Sequence, residues 1–328
     1  MEWLTLAFMQ RALLAALITG VTAPAIGTFL VQRRLSLLGD GLGHLAVAGV
    51  GLAMLTGTAP LPMAVLICVL GSIGIELLRE TGRASGDVGL AILFYGGLSG
   101  GLLLAGLAGQ GAGTLSAYLF GSLLTVGAGE LWVIAGLGAV VLVVTIGLLP
   151  QLFAVSADEP FARSIGLPVR VLNIAVVSLA AITVTVSMRT VGLLLVSALM
   201  VVPVATANHL VIGFRTGLFT AMGLGAVAAL SGAVGSYYLN TAPGSLIVVI
   251  AIAIFSVSWP VSLLLQRRNR PIIEVIEDTV PTGHELAESH AHVHNEHCGH
   301  LAVHHGGHVD YVHDGHRHAP HGDHYDEH

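Results

Sequence analysis

The chain has 328 residues, 54% of them hydrophobic and 10% charged, with a formal charge of −6. Soluble domains carry about 25% charged residues. So apolar a body, with charge confined to short clusters, excludes a soluble globular core and fits repeated membrane spans of about 20 residues.

The charge is also unevenly placed. Residues 1–270 hold twelve Arg and eight Asp or Glu, a balance of +4; residues 271–328 hold one Arg and eleven acids, a balance of −10; no Lys occurs. The two cysteines, Cys68 in an apolar run and Cys298 in the polar tail, do not form a disulfide framework.

In chain order, the first apolar stretch lacks a basic leader and a cleavage site, so it reads as a span rather than a cleavable signal peptide. Apolar runs between charge and Pro/Gly punctuation predict nine spans, at 10–31, 37–56, 61–79, 88–107, 130–149, 170–188, 191–211, 216–237 and 244–265. The piece 114–126 is too short to cross and is expected to be re-entrant or interfacial. The split at Met188-Arg189-Thr190 is the weakest of these boundaries.

Pro24, Pro203 and Pro243 are expected to break or kink helices, and Gly97–Gly101 and Gly192 to let helix backbones approach. Arg33, Arg34, Arg79, Arg83, Arg163, Arg170, Arg215, Arg267, Arg268 and Arg270 fall on one side if the N-terminus is outside. Arg11 and Arg189 do not fit. By the positive-inside rule the C-terminal tail is then cytoplasmic.

Ionisable groups inside spans cost at least about 2.5 kcal/mol each unless paired or hydrated. Asp40 and His44 are four residues apart and share one helical face, so an oxygen and an imidazole nitrogen can approach one cation. Carboxylate with imidazole suits first-row divalent metals. The plainer reading makes Asp40 a helix cap and His44 a hydrogen-bonded interior histidine. Glu76, near Arg79 and Glu80, reads as a surface-paired glutamate, Glu130 as the outer start of span five, and His209 as a satisfied lone histidine.

In VSADEPFARSIGLPVR, 155–170, Ser156 followed by Asp158, Glu159 and Pro160 predicts a helix start, and Gly166 its stop. The resulting short amphipathic helix is either an ordinary loop or a docking surface for a cytoplasmic partner.

The tail holds fifteen of the seventeen histidines. The candidate ligands are His284, His290, His292, His294, His297, Cys298, His300, His304, His305, His308, His313, His316, His318, His321, His324 and His328. Few large apolar residues accompany them, so the segment is expected to be disordered without metal. Their spacing, unlike a zinc finger's, reads as irregular and predicts several loose sites.

Four segments carry a family resemblance: LSLLGDGLGHLAVAGVGLA, SGDVGLAILFYGGLSGGLLL, SADEPFARSIGLPV and VGLLLVSALMVVPVATA. In order and spacing they resemble the permease subunit of bacterial ABC importers for zinc and manganese, over most of residues 15–265. The resemblance implies an all-α polytopic bundle of eight to nine transmembrane helices, type II ABC importer-like, in the bacterial inner membrane. The expected domains are a permease at 1–270 and the tail at 271–328.

It further implies a homodimer in membrane lipid, a separate cytoplasmic ATPase and an extracytoplasmic metal-binding protein. Asp40 and His44 map to the metal-coordinating gate. Residues 156–167, with Asp158, Glu159, Pro160, Ala162, Arg163 and Gly166, map to the ATPase-coupling helix. A chain with no Lys cannot build a P-loop, so ATP hydrolysis is expected on another subunit and no enzyme activity here.

The expected cargo is Zn2+, because a His-dense tail favours borderline metals, with Mn2+ or Fe2+ as alternatives. No organic cofactor or nucleic-acid partner is expected. A proton-coupled metal exporter and a membrane-anchored metal buffer are the competing classes.

Overall fold

The computed structural model describes residues 7–81, 86–109, 119, 121, 126–188, 190–268, 298–305, 308–313, 316–321 and 324–327. Contacts divide the chain into two units, Met1–Leu265 and Gln266–His328.

The first unit is helical among the described residues, because backbone polar groups in hydrocarbon must be satisfied within the segment. Its helices are α1 (Ala7–Gln32), α2 (Leu38–Thr56), α3 (Pro60–Glu80), α4 (Gly86–Leu107) and α5 (Ala128–Gly147). They continue as α6 (Leu149–Ala157), α7 (Glu159–Ser164), α8 (Val169–Met188), α9 (Leu193–Leu210), α10 (Phe214–Leu239) and α11 (Pro243–Arg268). Eight of these are long and apolar enough to cross a membrane, and the apolar part of α9, Leu195–Leu210, is shorter. All nine expected spans are therefore helical, with eight at full spanning length. The expected piece 114–126 lies outside the described residues apart from Leu119, Gly121 and Val126.

α1, α2 and α8 are mostly buried, whereas α3, α4, α5 and α11 keep broad exposed apolar faces such as Leu70, Leu103, Val143 and Val249. The first three form the middle of the bundle and the others its outer wall. α2 packs most extensively on α4, and α1 on α10. The α2–α4 crossing depends on glycine. A Cβ at Gly97 would stand 2.6 Å from the Leu45 nitrogen, and one at Gly101 2.6 Å from the Val47 carbonyl carbon. Small residues give such backbone contact where no hydrophobic force drives helices together.

Prolines behave differently from one another. Pro24 and Pro203 sit inside continuous helices. Pro243 begins α11, where its missing N–H costs nothing.

Two local expectations are corrected. Ser156 does not start the short helix: it is buried within α6, and Asp158 caps α7 by accepting from the Phe161 backbone N–H at 2.9 Å. α6 continues helically up to Ala157, leaving the next oxygen-bearing side chain as the cap. Glu76 is not at the surface: it is 2% exposed and pairs with both Arg33, at 3.2 Å, and Arg79, at 3.0 Å. The end of α1 supplies the second guanidinium, which lets the carboxylate stay buried.

In the second unit, β1 (Leu301–His305), β2 (His308–His313), β3 (His316–His321) and β4 (His324–Glu327) form an antiparallel sheet in the order β1-β2-β3-β4. Residues 301–327 place short β-forming stretches such as LAV and VDYV between glycine-bearing pairs, so backbone pairing substitutes for an apolar core. The register pairs include His305↔His308, Tyr311↔His318, His313↔His316 and His321↔His324.

Candidate metal centre and coupling surface

Asp40 occupies the first turn of α2, where a carboxylate is favoured by the helix dipole. It is not the cap: Leu37 holds that position, without a side-chain cap hydrogen bond. His44 follows one turn later, about 6 Å along the axis at 1.5 Å per residue. It is 8% exposed, and its ring centroid lies 3.9 Å from that of Phe94 on α4. Its Nδ1 is buried without a hydrogen-bond partner among the described residues. Asp40 is thus not the cap of α2, and among the described residues His44 Nδ1 makes no interior hydrogen bond.

Asp40 lines a cavity of about 330 Å³ with Leu37, Gly41, Leu90, Ala91, Phe94 and Tyr95. Leu37 and Tyr95 are strongly exposed, so the cavity opens on a free face of α2 and α4. Asp40 belongs to this lining and His44 does not; the imidazole lies one turn further along α2, behind Phe94. Among the described residues no group of three His, Cys, Asp or Glu is arranged to hold a metal ion. Asp40 and His44 are thus two candidate ligands, fewer than the four to eight that first-row and alkaline-earth ions take in closed sites.

The ion pairs gather the arginine-rich helix ends at one end of the bundle. Arg33 joins Glu76, Arg79 joins Glu76, and Arg170 on α8 joins Glu80 on α3 at 3.1 Å. α7 lies at this end. Its Glu159 and Arg163 pair at 3.0 Å, and both line an open polar cavity of about 610 Å³ with Arg79, Glu80, Arg170 and Asn173. Ala162 is fully buried and anchors α7, while Phe161 and Ile165 are exposed. Gly166, at φ +82°, ends the helix; Leu167 N–H donates to the Ala162 carbonyl and Gly166 N–H to that of Arg163. Pro160 sits in the first turn, where its missing N–H is harmless.

Of the remaining candidates, His209 Nδ1 lies 3.4 Å from Ser258 Oγ, joining α9 to α11 as a satisfied histidine would. Glu130 accepts from the Gly127 N–H at the start of α5. In the tail, His284, His290, His292, His294, His297 and His328 lie outside the described residues. Cys298, His300, His304 and His318 are described, the last buried. His305, His308, His313, His316, His321 and His324 are placed by strand register. Sequence reasoning missed the aromatic wall of Phe94 and Tyr95 and the Arg33–Glu76 pair. Only the helix crossings bring those positions together.

Residues 5–262 match the ABC 3 transport family. The manganese import system permease protein ScaB of Streptococcus parasanguinis is 31% identical over 263 residues, covering 80% of this chain and 93% of that protein. The manganese transport system membrane protein MntC of Halalkalibacterium halodurans is 30% identical over 259 residues, covering 79% and 88%. Among solved structures, PsaBC from Streptococcus pneumoniae in complex with Fab superposes with a TM-score of 0.73 at 29% identity, covering 82% of this chain and 98% of that one.

Proposed function

The chain belongs to the ABC 3 transport family, and from that premise we propose that it is the membrane-spanning permease of an ATP-driven importer of divalent metal. The observation that carries this reading is the α2 pair: a buried imidazole with an unpartnered Nδ1, one turn from a carboxylate facing an open cavity. Buried ligands in a span are costly, and a passive membrane anchor has no use for them.

Two ligands from one chain argue for a second copy. If the exposed faces of α2 and α4 meet, two Asp40 and two His44 complete a four-ligand site from two oxygens and two nitrogens. The arginine-rich end is then cytoplasmic. There α7, with Phe161 and Ile165 exposed, receives a separate ATPase, and a metal-binding protein delivers cargo on the opposite side.

Manganese is the better-supported cargo. The expectation of zinc drew on the tail, which lies beyond the matched residues 5–262, while the relatives' names speak of manganese. The test is metal uptake into vesicles or cells holding the permease with its ATPase. Losing even an outer-shell partner of a metal site costs about 10–100-fold. Asp40→Ala and His44→Ala are accordingly expected to reduce Mn2+ uptake to background while the ATPase still co-purifies. Normal uptake by both variants overturns the reading. Zn2+ uptake that excess Mn2+ cannot inhibit restores zinc.

A further inference from the structure

The strand register turns the tail's histidines into a regular device. His305↔His308, His313↔His316 and His321↔His324 are each directly opposed across a hairpin, with two residues between them in sequence. These pairs recur every eight residues. The residue two positions beyond the second histidine is Asp310, His318 and Asp326 in turn, so the chain repeats His-x-x-His-x-(Asp/His) three times. Side chains alternate between faces along a strand, and directly opposed residues share a face. All three members of each unit therefore lie on one face of the sheet. Units one and three share a face at one end; unit two lies on the opposite face at the other end.

We propose that each of these three units, His305-His308-Asp310, His313-His316-His318 and His321-His324-Asp326, binds one borderline first-row divalent cation of the class that includes zinc. Directly opposed Cβ atoms stand about 4.5–5.5 Å apart, a spacing from which two imidazoles can reach one ion at about 2.0–2.1 Å. The third member follows on the same face, about 6.6 Å along the strand. Two imidazoles with a carboxylate or third imidazole form a three-ligand set with one open position. This chemistry suits zinc, iron, nickel or copper better than an all-oxygen cation.

The third members whose burial is described, Asp310 and His318, are 0% and 4% exposed. The sites lie outside residues 5–262, so they stand independently of the transport reading.

The probe is Zn2+, measured by equilibrium dialysis against the detergent-solubilised full chain carrying Asp40→Ala and His44→Ala, which removes the α2 ligands from the measurement. Three tight ions per chain are expected above a weaker background. The swaps H308V/V309H, H316R/R317H and H324Y/Y325H keep composition and charge but move one imidazole to the other face. Each is expected to weaken one ion by about tenfold or more, since a defined site needs its ligands converging. Swapped and parent chains binding alike would show that the tail is a loose polyhistidine and overturn the proposal.

The near-isosteric D310N/D326N variant spares the sheet. It should weaken two ions about tenfold and leave the third, held by His313, His316 and His318, unchanged. Three unchanged ions in that variant equally overturn the assignment.

Discussion

At the scale of single residues, spacing along one helix was legible and contacts between helices were not. Asp40 and His44 stand out because four residues is one helical turn, and both share the α2 face by that rule alone. Arg33 and Glu76 are 43 positions apart, and nothing in local spacing joins them. Their pairing exists because α1 and α3 end at the same level of the bundle. It carries a prediction. Removing one partner of a buried ion pair costs about 3–5 kcal/mol, because the other charge is left buried and uncompensated. Glu76→Gln strands Arg33, whose side chain is 5% exposed. The variant should melt well below the parent in detergent, whereas Arg79→Ala, which removes a side chain 29% exposed, should change little. Equal melting of all three proteins would show that the Arg33 pair contributes nothing.

At the scale of elements, apolar run length identified nine helices, eight of them long and apolar enough to cross a membrane, because a helix in hydrocarbon has no competitor for its backbone. Boundaries depended on finer chemistry. Ser156 and Asp158 are both competent caps, and the choice fell to Asp158 once α6 extended to Ala157. Replacing that cap costs about 0.5–2 kcal/mol, a large share of what holds a six-residue helix. Asp158→Ala and Ala162→Pro should therefore loosen α7 and uncouple ATP hydrolysis from transport, read as hydrolysis persisting while uptake falls; variants that retain full uptake would remove α7 from the coupling path. The α2–α4 crossing offers a paired test. Overpacking a tight contact costs about 1–3 kcal/mol. Gly97→Ala forces a methyl against the Leu45 backbone, while Gly96→Ala meets nothing within 4 Å. Lower stability and uptake for Gly97→Ala, with Gly96→Ala like the parent, is the expected pattern, and equal behaviour would mean the crossing relaxes freely.

At the scale of the whole molecule, the chain joins two units of opposite charge and different physics. The first, Met1–Leu265, contains every residue that matches the transport family and, among the described residues, the eight helices long and apolar enough to span, and it carries Asp40, His44 and α7. The second carries the strands and the recurrent histidines. Composition pointed to metal-binding chemistry in it but not to strand register. The eight-residue recurrence is hidden by extra histidines such as His300 and His304, and emerges once strand register shows which are opposed. This division predicts what deletion does. With the transport machinery complete before Leu265, a chain lacking residues 284–328 should import metal at low external concentration at the parent rate. In the proposed orientation the tail is cytoplasmic: there its −10 balance repels it from an anionic inner leaflet, and it meets metal after translocation. Loss of such a buffer changes little when metal is scarce and much when it is abundant. Cells with the truncated chain should tolerate high metal less well, measured as growth and free cytosolic zinc after a zinc load. A truncated protein that assembles with its ATPase yet fails to import at low metal would instead make the tail part of the transport path.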